Sequence, residues 1–167
     1  DAVPQVRFRL GSVKATEVDD LLLELIVTSG GRVAPHLHMP LQSGSDSVLR
    51  RMRRWHTRDA YRRRAMEIAA QVTPLGLGAD LITGFPGETE SDHRDTVELV
   101  EELPFTYLHV FPFSPKDGTM AEDLPNPVPQ RVAGERSLEL REFVRDKGRE
   151  YRTSRAGQRA RVTLEAN

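Results

Sequence analysis

The apolar residues of the chain fall into short runs with two periods, which predict alternating strands and helices. Apolar and polar residues alternate in Val6–Ser12, as expected for a strand, and this run ends at a glycine. Leu75–Gly84 is nearly continuous in apolar residues, which is typical of a strand buried on both faces. Two further extended segments are predicted in Pro35–Asp46, which Gly44 interrupts, and in Phe105–Pro115.

Helices are predicted between these strands from apolar stripes and from residues that cap helix ends. Thr16 and Asp19 have the spacing of a capping box, and Thr89 and Asp92 repeat that spacing. The predicted helices span residues 16–30, 48–52, 57–72, 89–103 and 132–155. The last one follows a proline-rich segment, and the final residues 160–166 alternate like one more strand.

This alternation of strand and helix predicts the α/β fold class with parallel βα units. Either an open doubly wound sheet or part of a barrel satisfies the pattern. In both architectures ligands bind in the loops that follow the carboxyl ends of the strands. Those loops are rich in Gly, Ser, Thr or Pro, and they comprise residues 11–16, 42–46, 84–89 and 113–119.

Composition narrows the class of protein further. The 167 residues suffice for one main domain, and 38% hydrophobic and 29% charged residues with a net charge of -1 indicate a soluble protein rather than a disordered or membrane one. The chain starts without Met inside a predicted strand, so we expect a piece of a longer polypeptide. Without any cysteine, thiolate catalysis and cysteine-bound iron–sulfur clusters are excluded within these residues.

Two of the loops allow both a ligand-binding and a structural interpretation. In "GFPGETE", Gly84 and Gly87 permit a close backbone approach, and the helix that follows offers free amides to an anion, but the same glycines serve turn geometry equally well. In "QSGSD" the polar side chains suit ribose hydroxyls, and they suit helix caps equally well. Neither a P-loop nor a Rossmann fingerprint occurs.

Histidines and arginines supply the remaining candidate chemistry. His36 and His38 share a strand face, but no third ligand with suitable spacing follows, so we expect structural histidines and no metal site. Eight arginines lie between Arg50 and Arg64, with three aromatic rings interleaved. Such a cluster suits an RNA backbone, although a solvated helix face is the commoner reason for it.

Three long motifs resemble the radical S-adenosylmethionine (SAM) domain of tRNA methylthiotransferases. They are "PHLHMPLQSGSDSVLRRM", "ADLITGFPGETESD" and "LPFTYLHVFPFSPKDGT", and the last is most similar to the branch that modifies threonylcarbamoyladenosine. The resemblance implies a partial (β/α) barrel of six strands, of which this chain would hold the last four in residues 1–155. Residues 156–167 would then begin a C-terminal RNA-binding β domain.

The resemblance also implies which residues contact the cofactor. Ser12 and Gln42 would contact the ribose and methionine parts of SAM, and Arg54 the methionine carboxylate. The adenine would lie near the three remaining residues, Ile82, Gly84 and Phe111. No catalytic residue is expected within the chain. The [4Fe–4S] clusters of the full-length enzyme would be bound by residues outside it.

The function implied is methylthiolation at C2 of threonylcarbamoyladenosine in tRNA, by a cytoplasmic enzyme that does not contact a membrane. The chain alone is expected to be inactive, because it lacks the cluster cysteines. RNA contacts are expected from four arginines, Arg50, Arg51, Arg58 and Arg62. A half barrel would leave a sheet edge unpaired, so a homodimer through that edge is expected. The alternatives are a non-catalytic nucleotide- or RNA-binding βα module and a metal-free barrel enzyme, although no acid, base or nucleophile cluster supports the latter.

Overall fold

A computed structural model describes residues 6–115, 118 and 121–159. Within them the chain forms three strands, five α-helices and one short 3-10 helix. The strands are β1 (His36–His38), β2 (Gly76–Thr83) and β3 (Tyr107–Pro112). The 3-10 helix is Ala15–Glu17, and the α-helices are α1 (Asp20–Thr28), α2 (Asp46–Arg51), α3 (Arg58–Gln71), α4 (Glu90–Glu102) and α5 (Gln130–Ser154).

The three strands form one parallel sheet in the order β1-β2-β3. His38 lies opposite Gly78 in the β1–β2 pair, and Asp80 lies opposite His109 in the β2–β3 pair. Helices α2 and α3 connect β1 to β2, and α4 connects β2 to β3. The predicted parallel βα units are therefore confirmed, in an α/β fold with a small parallel sheet.

The predicted first strand, Val6–Ser12, is present only as two isolated parallel bridges. Phe8 pairs with Val33, and Ser12 pairs with His38. The segment follows the edge of β1, but half of the Phe8 surface is exposed to solvent. Because little packs over this segment, the alternating pattern does not lead to a continuous ladder. The prediction of four strands is corrected to three within the described residues.

One face of the sheet is apolar and covered by helices. On β2 this outer face carries Leu77, Ala79 and Leu81, each fully buried. Helix α5 packs on β2 and β3, and its Leu140 is also fully buried. On the opposite, inner face, position 78 is occupied by glycine, because a Cβ there would overlap the ring of Tyr107. Burial of the outer face supplies the main apolar core of the molecule.

Two helices begin where they were predicted to begin, and a third begins later. Thr57 caps α3 by accepting a hydrogen bond from the Ala60 amide, and Thr89 caps α4 with a full capping box. The first helix starts later than predicted, because Thr16 belongs to the 3-10 turn and Asp19 caps α1 instead. Asp19 accepts from the Leu22 amide at 2.8 Å, so the box predicted for Thr16 is wrong.

The final helix matches its prediction closely, running from Gln130 to Ser154. The predicted last strand and the β domain of residues 156–167 fall almost wholly outside the described residues. Among the residues that the structure describes, none of the helices combines the length and the apolar character that a membrane-spanning helix requires.

Candidate functional site

Three predicted cofactor residues from distant parts of the sequence line one cavity at the carboxyl edge of the sheet. Ser12, Gln42 and Arg54 border a cavity of about 460 Å³. Its other lining residues include Pro40 and the exposed ring of Trp55. The cavity therefore offers hydroxyl, amide and guanidinium groups beside an aromatic surface. Such a set suits a polar ligand that carries a ribose and a carboxylate.

Gln42 is fixed by its backbone at the mouth of the sheet. Its amide donates to the Asp80 carbonyl at 2.8 Å, and its carbonyl accepts from the Ile82 amide at 2.9 Å. Its φ of 73° is uncommon for a residue other than glycine. The two hydrogen bonds to β2 hold this turn, so the position of the Gln42 side chain beside the cavity is determined by the sheet.

Two predicted adenine contacts, Ile82 and Phe111, are neighbours on the inner face. They lie opposite each other in the β2–β3 register, and both are partly or largely exposed. Together they form a short apolar platform at the carboxyl ends of these strands. Because the Ile82 amide bonds to Gln42, this platform adjoins the segment that lines the cavity.

The remaining predicted contact, Gly84, lies against helix α5. Its φ is 73°, and a Cβ at this position would overlap the side chain of Ala133. The Gly84 amide donates to the carboxylate of Glu88 at 2.6 Å, and Arg136 pairs with the same carboxylate at 2.8 Å in a buried site. In this structure the loop after β2 is thus held by the Glu88 carboxylate and by α5. The geometry favours the structural interpretation of "GFPGETE".

The serines of "QSGSD" also have structural partners. Ser45 donates to the carboxylate of Asp92 at 2.5 Å, Ser47 donates to the same carboxylate, and the Gly44 amide donates to the Thr96 hydroxyl at 2.9 Å. Burial alone would raise the pKa of Asp92, but the hydroxyl and amide donors outweigh it and hold this pKa well below its usual range. Of the polar residues in this loop, Gln42 is the one that lines the cavity.

The four arginines predicted to contact RNA are mostly paired with groups of the chain itself. Arg62 forms a double hydrogen bond with Glu102, and the contacts of Arg58 with Asp95 and Glu98 are 3.5 and 3.6 Å. The other two bond to backbone carbonyls: Arg50 to that of Asp46, and Arg51 to that of Gly87. Helix α4 therefore neutralises part of the charge predicted to face RNA.

A second basic surface lies between α2 and α3. Arg53 and Arg54 are exposed, and Trp55 is 98% exposed. The RNA contacts predicted from the sequence involve four other arginines of this segment. A fully exposed tryptophan beside two arginines is suited to stacking on a base. Only the folded structure shows that Trp55 lies at the mouth of the cavity.

The inner face also carries a chain of polar side chains, of which the sequence indicated only His36 and His38. The Arg9 guanidinium lies 2.9 Å from His36 Nε2, and the Tyr107 hydroxyl lies 2.9 Å from the same nitrogen and 3.1 Å from His38 Nδ1. His38 and His109 both contact the carboxylate of Asp80, at 3.1 and 3.2 Å. Burial and the charge of Arg9 lower the pKa of His36.

A comparison with protein families finds one matching model, described as the radical SAM superfamily, over residues 10–100. Similar proteins include the threonylcarbamoyladenosine tRNA methylthiotransferases MtaB of Rickettsia prowazekii, 39% identical over 99% of this chain, and of Treponema pallidum, 42% identical over 87%. A tRNA-2-methylthio-N(6)-dimethylallyladenosine synthase of Mycobacterium marinum is 41% identical over 78%. The chain spans 39%, 30% and 24% of these three proteins.

Proposed function

The chain belongs to the radical SAM superfamily, and on this basis we propose that it forms part of a tRNA methylthiotransferase acting on threonylcarbamoyladenosine. The observation that carries the proposal is the convergence of Ser12, Gln42 and Arg54 on one cavity. These residues are separated by up to 42 positions in sequence, and their side chains match the polar groups of SAM. The similarity to tRNA methylthiotransferases supports the rest of the assignment.

The cavity residues fit SAM by the chemistry of their side chains. Arg54 is suited to the methionine carboxylate, because a guanidinium donates two parallel hydrogen bonds to it. Ser12 and Gln42 supply donors and acceptors for the ribose and the amino group. Ile82 and Phe111 offer the adenine an apolar surface, whereas Gly84 acts mainly by allowing α5 to approach.

The residues of this chain do not fit an iron–sulfur cluster. The sequence has no cysteine, and thiolates are the ligands that such clusters require. In the superfamily, SAM that is reduced at a cluster supplies a radical able to abstract hydrogen. We therefore expect the cluster ligands to come from residues outside this sequence, and we expect the chain alone to bind SAM without cleaving it.

The tRNA would approach over the mouth of the cavity. Arg53, Arg54 and Trp55 form an exposed basic and aromatic surface there. Arg50 lies on the adjoining helix and would add charge, while Arg51, Arg58 and Arg62 are paired with acidic residues of α4 and would contribute less. A tRNA substrate would place the enzyme in the cytoplasm.

The predicted homodimer would use the free edge of strand β3. At this edge, Arg141 of the same chain donates a hydrogen bond to the Val110 carbonyl.

The threonylcarbamoyl branch is favoured by the motif "LPFTYLHVFPFSPKDGT" and by the MtaB proteins that align over most of the chain. The dimethylallyl branch is also represented, by an enzyme of Oceanobacillus iheyensis that is 34% identical over 98% of the chain. The absence of cysteine favours a second candidate function, a non-catalytic nucleotide- or RNA-binding module.

Mass spectrometry of tRNA nucleosides tests the proposal. The complete polypeptide encoded by the gene is expressed in a bacterial host that lacks its own tRNA methylthiotransferases. We expect the 2-methylthio derivative of threonylcarbamoyladenosine to appear, and we expect none when the 167-residue chain is expressed alone. The dimethylallyl product would assign the other branch. No methylthiolated nucleoside from the complete polypeptide would contradict the enzyme and favour the binding module.

A further inference from the structure

The inner face of the sheet brings together two imidazoles and one carboxylate from three different strands. His38 lies on β1, Asp80 on β2 and His109 on β3. Side chains alternate along a strand, and Asp80 lies directly opposite His109 in the parallel register. One ligand atom from each of the three residues lies within 4.8 Å of the others. The cluster is therefore a product of the register of the sheet.

The spacing of these atoms suits a small divalent ion. Zinc holds nitrogen and oxygen ligands at about 2.1 Å, so two ligands of a tetrahedral ion lie roughly 3.4 Å apart. The observed contacts of Asp80 are 3.1 Å to His38 Nε2 and 3.2 Å to His109 Nδ1. A bound ion would replace the contacts that the Asp80 carboxylate makes with the two imidazoles. The two imidazoles contact different oxygens of the Asp80 carboxylate, and all the ligand atoms lie within 4.8 Å of one another.

The surroundings of His38 orient it for such a role. Its Nδ1 lies 3.1 Å from the Tyr107 hydroxyl, which leaves Nε2 directed at Asp80. In metal sites the second ring nitrogen of a histidine ligand is commonly held in this way by a neighbouring polar group. The Arg9 guanidinium bonds to His36. The His36 side chain therefore lies between the positive charge of Arg9 and the three ligands.

The cluster is also accessible from solvent. All three residues line a cavity of about 420 Å³, which Ser12 and Arg9 border as well. The His109 side chain is 56% exposed, whereas that of His38 is 10% exposed. An ion could enter past His109, and a fourth coordination position would face the cavity. Sites with three protein ligands and one open position are typical of zinc that binds water or a further ligand.

We propose that His38, Asp80 and His109 bind a divalent first-row transition ion, with Zn²⁺ as the representative case. Two imidazoles and one carboxylate are ligands that zinc, cobalt and ferrous iron accept. The proposal does not depend on methylthiotransferase activity. The site lies on the inner face of the sheet, and its cavity shares Ser12 with the cavity lined by Gln42 and Arg54.

Calorimetric titration of the tag-free chain with Zn²⁺ alone tests the site. We expect one ion to bind per chain, and we expect Asp80→Asn and His109→Gln each to weaken binding by about tenfold or more. His56→Gln is the matched control, because His56 lies in the other cavity and should leave the affinity unchanged within about twofold. Co²⁺ provides a second readout, because its visible absorption in a low-coordinate site should be lost in Asp80→Asn.

Two results would overturn the proposal. One is the absence of saturable Zn²⁺ binding, which would leave the cluster as a hydrogen-bonded network only. The other is binding that persists in Asp80→Asn and His109→Gln, which would place the ion elsewhere. Thermal unfolding of each variant without metal verifies that it is folded, and Zn²⁺ should raise the melting temperature of the unsubstituted chain by more than that of Asp80→Asn.

Discussion

The two faces of strand β2 carry different parts of the molecule's chemistry. Leu77, Ala79 and Leu81 point outward and are fully buried under helices. Asp80 and Ile82, which alternate with them, point inward and are only partly buried. The outer face therefore determines stability, and the inner face is available for ligands. Substitutions of neighbouring residues on this strand should consequently have separable effects on folding and on binding.

Replacing Leu81 by Ala should give the largest effect on stability. Removing this fully buried side chain leaves a cavity in the core and should lower the free energy of unfolding by about 2–5 kcal/mol. Ile82→Ala is the matched control on the opposite face, and it should cost less than half as much. Urea denaturation of both variants measures the difference. Equal losses would show that the inner face is packed as tightly as the outer one.

Gly84 is the point at which the two interpretations of the loop after β2 can be separated. Alanine at this position must adopt a φ of 73° and would overlap Ala133, so Gly84→Ala should cost about 1–3 kcal/mol of unfolding free energy. Nothing lies within 4 Å of a Cβ built at Gly11, so Gly11→Ala should change stability by less than about 0.5 kcal/mol. A stable Gly84→Ala variant would contradict the packing role.

Local sequence signals predicted those parts of the fold that depend on nearby residues. The cap at Thr89 could be predicted because a hydroxyl or carboxylate bonds to an amide three residues away. Strand β2 could be predicted because its apolar run is long and is bounded by glycines. The Thr16 cap was wrong because Asp19, another good capping residue, competes with it and forms the bond to Leu22.

The candidate site depended on contacts between distant residues. The sequence showed His36 and His38 on one strand face, but only the register of β1, β2 and β3 brings Asp80 and His109 to them. Similarly, nothing in "QSGSD" itself shows that Ser45 bonds to Asp92, which lies 47 residues away. The resemblance to a family supplied the cofactor residues that spacing alone could not, and the cavity brings three of them together.

Calorimetric titration of the chain with SAM tests most directly whether the cavity at the carboxyl edge is a cofactor site. We expect saturable binding of one SAM per chain. Arg54→Ala should weaken it by about tenfold or more, because it removes a charged partner of the carboxylate. Arg50→Ala, an exposed arginine on α2 outside the cavity lining, should change the affinity by less than about twofold. No binding of SAM, or equal effects of the two arginine substitutions, would contradict the assignment of this cavity.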